Sequence, residues 1–204
     1  MRKVFLDCGS HNGSSVEHFK QSFEDASEYE IYCFEANPRL ASYYTELQEE
    51  GVHFENCAVW IEDGEMTFYD KVKLHDIPES STVVQSKMDY QKRTQINCAP
   101  FVERVVPSID FGKWLKENFS KDDYIVLKMD IECAEYVVLE KMLSDGSLEY
   151  INELYGELHN IKCGKDQRDA MLEDKFIIDG LANLGLEMFY WDANPGYLKQ
   201  NGNS

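Results

Sequence analysis

The chain has 204 residues, of which 43 % are hydrophobic and 28 % charged, with a formal net charge of −18. That length fits one domain, able to bury roughly 70 % of its unfolded surface. The acidity argues against phosphate backbones and anionic lipid, so no nucleic acid partner is expected, although Lys71, Lys73, Lys87, Lys92 and Arg93 could form a local basic patch. No apolar run approaches the roughly 20 residues of a membrane span, and the first residues do not read as a signal peptide. The six cysteines form no CxxC pair and sit mostly in apolar runs, as reduced core thiols do. A cytoplasmic protein with no membrane span is expected. Nothing in the pattern sets an oligomeric state.

A short apolar run at 4–6 opens the chain and ends in Asp7, followed by Gly9 and Gly13. It starts so early that the chain is either a complete domain or a module excised from a longer one. Val16, Phe19, Lys20 and Phe23 follow with helical spacing, and Ser14 or Ser15 suits the cap. A second apolar run at 31–34 ends in Glu35. Pro38 fits the first turn of a helix reaching about residue 49. Residues 52–60 read as a third strand, and Asp63-Gly64 signals a hairpin before "EMTFYD". Residues 71–100 are polar and aperiodic, as in a functional loop or lid. Residues 101–106 alternate as a strand does, and 109–119 look helical. "YIVLKMD" at 124–130 is the strongest buried strand. A helix to about 143, a strand at 150–159, a helix at 166–184 and a last strand, "LEMFYW", complete the pattern. Strands alternating with helices predict an α/β fold with a mostly parallel central sheet of about seven strands and helices on both faces.

Ligands of such sheets bind beyond the carboxyl ends of the strands. Those ends carry Asp7, Glu35, Asp130 with Glu132, and Glu157 with His159; the third strand ends near Cys57 and Ala58. Glycines at 9 and 13 would let the backbone approach a ligand where a Cβ would clash. The turn lacks the third glycine of a dinucleotide fingerprint and the lysine of a phosphate loop. Asp7 beside it would repel a pyrophosphate and accept a cation. Glu35 lies at the distance from Gly9 where an acid can accept two ribose hydroxyls.

The stretches "FLDCGSHNGSS", "YCFEANP", "ENCAVW", "VPSIDFGKWL" and "VLKMDIECAEYVVLE" occur in that order. Together, over residues 3–160, they resemble the FkbM-type methyltransferases. The resemblance implies a Rossmann-like class I fold and S-adenosyl-L-methionine as cofactor. It places Asp7, Gly9, Ser10, Asn12 and Gly13 around the methionine end and Glu35 on the ribose. Cys57 and Ala58 would border the adenine, with Asp130 also near the cofactor and Asn37, Ser80 and Ser81 as weaker candidates. Two positions depart from the family pattern: Cys133 stands where glycine is usual, and the usual "GAN" reads Gly9-Ser10-His11-Asn12.

Methyl transfer to oxygen needs alignment and removal of the hydroxyl proton. Asp130, Glu157 and His159 are the candidate catalytic residues; His159 would be the base, with His11 as runner-up. Alternatively, Asp130 and Glu157 would hold Mg²⁺ or Mn²⁺. Glu132 and Glu135 read as carboxylates placed at a helix N-terminus, and His18 and His53 as structural or exposed. Tyr69, Tyr90, Phe101, Tyr155, Tyr190, Trp191 and Tyr197 are candidates to line an acceptor pocket. The expected activity is O-methylation of a sugar or glycan. The alternatives are a non-catalytic nucleoside-binding module and a nucleotide-dependent oxidoreductase.

Overall fold

The computed structural model describes residues 1–72, 80–95, 97–159 and 163–191. In chain order the strands are β1 (Lys3–Cys8), β2 (Tyr29–Phe34), β3 (His53–Glu55), β4 (Ala58–Trp60), β5 (Gly64–Lys71), β6 (Phe101–Asp110), β7 (Tyr124–Met129), β8 (Glu153–Gly156) and β9 (Met188–Phe189). The helices are α1 (Ser14–Ser22), α2 (Tyr44–Glu49), α3 (Gln85–Thr94), α4 (Phe111–Asn118), α5 (Glu135–Asp145) and α6 (Gln167–Asn183).

Six strands form one sheet in the order β3-β2-β1-β7-β8-β9, and every pair in it is parallel. This is the α/β, Rossmann-like architecture, with six strands among the described residues rather than seven. β1 and β7 lie side by side at its centre, which is why "VFL" and "IVLKM" read as continuous apolar runs: both faces are covered. Alternate residues of β1 feed two cores. Phe5 packs with Val16 and Phe19 of α1, its ring stacked on Phe19 at 4.0 Å between centroids. Val4 and Leu6 join Phe111 and Leu115 of α4, Leu139 and Met142 of α5, and Ile177 and Leu181 of α6. The helices therefore cover both faces.

Three expectations are corrected. The stretch 52–60 is two strands: β3 ends the large sheet, while β4 joins a separate three-stranded sheet ordered β4-β6-β5. The Asp63-Gly64 turn makes no hairpin, because β6 inserts between β4 and β5, parallel to one and antiparallel to the other. Asp63 instead accepts a hydrogen bond from the Asp110 amide of β6. Residues 71–100 are not all loop. They contain α3, whose buried positions are Lys87, Met88 and Gln91, so the side it buries is mostly polar and leaves no apolar period to read.

The fourth correction concerns the cysteines. Cys133 and Cys163, expected as separate thiols, form a disulfide with their Cα atoms 5.5 Å apart. The turn after β7 and the segment beyond β8 converge there, and both residues are buried. The link tethers the turn at 130–135 to the segment carrying His159. No helix among the described residues is long and apolar enough to cross a membrane.

Candidate functional site

A cavity of about 310 Å³ opens at the carboxyl ends of β1, β2 and β7. That volume lies at the small end of ligand sites. Of the residues singled out in the sequence, Gly9, Ser10, His11, Ser14, Ser15, Glu35, Asn37, Cys57, Ala58, Ser80, Ser81, Asp130 and Glu132 line it. Asp7, Asn12, Gly13, Glu157 and His159 do not.

The Gly turn is built for the protein as much as for a ligand. Gly9 has φ of 78°, and a Cβ there would stand 1.9 Å from the carbonyl oxygen of Asp130. Gly13, also left-handed, caps α1, and a Cβ would meet the Leu47 side chain at 2.5 Å. Each glycine thus permits a close protein contact as well as an unusual backbone. Ser14 and Ser15 do not cap the helix; Ser15 Oγ donates to Asp7 and the Ser14 amide to Asn12. Ser10 is fixed by Tyr44, whose hydroxyl donates to Ser10 Oγ at 2.6 Å.

Glu35 is buried with both oxygens engaged: one accepts the His11 amide at 2.9 Å, the other the Asn37 amide at 2.7 Å. Burial pushes its pKa up, and these two amides work against that rise. Each carboxylate oxygen keeps a second lone pair. Glu35 is thus a preorganised acceptor at the cavity wall. His11, left-handed at φ 52°, contributes that amide while its side chain lines the cavity. Asn37 serves the turn: it accepts from the Arg39 amide and donates to Asp70, capping the 3-10 helix that begins at Pro38. That Asp70 is fully buried between Arg39 and Arg104. Burial raises the Cys57 pKa to about 12, which leaves a protonated thiol at the wall and no nucleophile.

Asp7 sits behind the wall, fully buried. Its carboxylate pairs with Lys128 Nζ at 3.0 Å, and Lys128 also donates to the Gly9 carbonyl at 3.0 Å. Burial alone would lower the Lys128 pKa, but Asp7 and then Asp130 outweigh it and raise it. The charge placed before the glycines therefore meets a lysine of the neighbouring strand. The sequence carried a signal for this partner: Lys128 is the one charged residue inside its most apolar strand.

At the end of β7 the backbone makes two successive left-handed residues, Glu132 (φ 57°) and Cys133 (φ 82°). This explains why glycine suits position 133, and such strain is held where a site is built. Thr82 braces the turn by donating to the Glu132 carbonyl at 2.6 Å. The turn brings acids around His159, whose ring is buried. Glu135 Oε1 lies 3.2 Å from Nδ1, and oxygens of Asp130, Glu132 and Glu157 lie 3.6–3.7 Å from Nε2. Asp130 and Glu132 both line the cavity, and Asp130 has the more exposed side chain of the two, at 40 %. Glu132 is also ion-paired with the buried Lys87.

Glu135 was read only as a helix-start carboxylate. It does accept the Ile131 amide at 2.8 Å, yet it also faces His159. Asp130, Glu135 and His159 offer ligand atoms within 4.8 Å of one another; Glu157, paired with Asp130 in the sequence reading, stands outside this triad. The expected aromatic wall is corrected as well. Among the described residues the aromatic side chains at the cavity are Phe34 and Phe68. Tyr155 and Trp191 belong to the core around Phe5, Phe101 packs under Lys71 and Lys92, and Tyr190 is exposed. Tyr197 and Lys73 lie outside the described residues. Lys71 and Lys87 are buried, Lys71 donating to Gln91 and Gln95, so they form no basic surface patch.

The parallel sheet with a site beyond its central strands defines a Rossmann-like ligand-binding protein. The methyltransferase FkbM domain model matches residues 7–188, and the chain belongs to the FkbM methyltransferase family. Among curated proteins and solved structures no match was found.

Proposed function

We propose that the protein transfers a methyl group from S-adenosyl-L-methionine to a hydroxyl of a sugar or glycan. The observation that carries this reading is the pairing of two features in one cavity. Glu35 is held by two amides at the end of β2, and Asp130 stands at the end of β7 in front of His159. Glu35 would accept the ribose hydroxyls, and Cys57 and Ala58 would border the base. Gly9 and Ser10 would approach the amino-acid end.

When bound, the cofactor supplies a sulfonium whose methyl carbon is open to in-line attack. The protein's part is position and proton transfer. With the methyl passing to the acceptor oxygen and the thioether leaving, the hydroxyl proton would go toward Asp130, whose side chain is 40 % exposed at the cavity wall. His159 and Glu157 stand behind it. Positioning is worth on the order of 7–11 kcal/mol in favourable cases, and a base adds about 10²–10⁴-fold. The sugar preference rests on family resemblance and is an analogy.

Calorimetric titration with S-adenosylhomocysteine and, separately, NAD tests the cofactor. Binding of the first and not the second is expected; the reverse would assign an oxidoreductase. Incubation with labelled cofactor and a panel of free sugars and oligosaccharides tests the reaction. Cofactor binding without label transfer to any hydroxyl acceptor would leave a binding module and overturn the enzymatic reading.

A further inference from the structure

We propose that Asp130, Glu135 and His159 form a binding site for one divalent metal cation beside the cavity, reached from it through Asp130. The binding claim stands on geometry alone; the use of the metal in methyl transfer rests on the function proposed above.

An imidazole in its neutral form has one N–H and one lone pair. His159 has a carboxylate oxygen facing each nitrogen: Glu135 at Nδ1, and Asp130, Glu132 and Glu157 at Nε2. Whichever tautomer is present, one nitrogen lone pair confronts a carboxylate. A shared cation converts that repulsion into two bonds. The positive charges nearby are already engaged, Lys87 by Glu132 and Lys128 by Asp7.

A second, independent observation comes from Glu135. Its side chain is fully buried; Oε1 accepts the Ile131 amide and faces His159, while Oε2 has no hydrogen-bond partner. A buried carboxylate oxygen left bare is costly unless a ligand fills its valence. The spacing also suits a metal. Around a six-coordinate ion with bonds of about 2.1 Å, adjacent ligands stand roughly 3 Å apart. Taking one atom from each residue, Asp130, Glu135 and His159 lie within 4.8 Å of one another, and they must draw together to reach that spacing around an ion on a single His159 nitrogen. One nitrogen with carboxylate oxygens suits a first-row divalent ion such as Mn²⁺. The 40 % exposure of the Asp130 side chain leaves an open path from the cavity, so a hydroxyl entering there could complete the shell. The metal would lower that hydroxyl's pKa and orient its oxygen.

The test uses the full chain, stripped with a chelator and titrated with Mn²⁺ alone at about 0.15 M salt, where exposed carboxylates are screened. Free Mn²⁺ is read by electron paramagnetic resonance. One Mn²⁺ per chain is expected, with affinity lowered at least about tenfold by Asp130→Asn, Glu135→Gln or His159→Gln. The exposed control Asp63→Asn should bind as the parent does. Thermal unfolding checks each variant. If Glu135→Gln does not fold, Asp130→Asn decides, because that side chain is partly exposed. Absence of stoichiometric uptake, or uptake unchanged by these substitutions, overturns the site. S-adenosylhomocysteine titration of the same metal-free protein reports separately on the proposed function, so either reading can fail alone.

Discussion

Two clusters of buried charge lie at neighbouring strand ends, and they are solved differently. Between β1 and β7, Asp7 is answered by Lys128, by Ser15 and, through the lysine, by the Gly9 carbonyl. Beyond β7 and β8, His159 sits among four carboxylates, and one oxygen of the buried Glu135 has no partner. The first cluster matches its carboxylate with an opposite charge and fixes the strands, although Asp7 Oδ1, like Glu135 Oε2, is buried with no hydrogen bond of its own. The second has unsatisfied capacity and opens on the cavity through Asp130. The contrast sets charge that serves the fold against the charge to which the metal proposal assigns a ligand.

The sharpest way to break this contrast is Lys128→Met. It leaves a fully buried carboxylate without its counter-charge, and a loss of about 3–5 kcal/mol in denaturant unfolding is expected. Adding Asp7→Asn to the same protein should recover part of it, since the orphaned charge goes. The corresponding change at the other cluster should act on chemistry. Asp130→Asn is expected to lower label transfer by about 10²–10⁴-fold while stability stays within about 0.5 kcal/mol. Equal destabilisation by the two substitutions would erase the distinction. At the cavity wall, Glu35→Ala should weaken S-adenosylhomocysteine binding by about 10–100-fold, or roughly 1.4–2.7 kcal/mol. Unchanged affinity by calorimetry would remove Glu35 from the ribose role.

The smallest effect lies at Asp145, far from either cluster. Burial alone would raise its pKa, but hydrogen bonds from Lys141 and Ser147 outweigh that and hold it at about 2, below the ordinary 3.8. A depressed folded pKa contributes stability above the unfolded value and loses it as pH falls. Asp145→Asn should therefore flatten the acid limb of the stability curve between about pH 4 and pH 2. The change should stay under about 1 kcal/mol, because the pair is partly solvated.

Much of this was legible from strand-end reading. Asp7, Glu35, Asp130, Glu157 and His159 stand out because parallel strands deliver their last residues to one edge, although of these five Glu35 and Asp130 line the cavity. What escaped notice had other physical causes. Lys128 escapes a strand reading because periodicity weighs apolar residues and not the charge hidden among them. Glu135 satisfied a local explanation at the start of α5, and its contact with His159 bridges 24 positions of sequence. α3 had no apolar face to reveal it. The false hairpin at Asp63-Gly64 followed from a sound local turn signal, overruled by a strand nearly 40 residues downstream.

The central position of β1 has a consequence for the time order of folding. Its register with β7 pairs Lys3 with Tyr124, so one edge of the innermost strand waits for more than a hundred further residues. At ordinary elongation rates that wait is on the order of 10 s. During it, "KVFLDC" can pair with β2 alone and shows an apolar edge. Folding with such long-range parallel pairing is slow. A nascent chain stalled before residue 124 should therefore engage chaperones, and one stalled well past β8 should not.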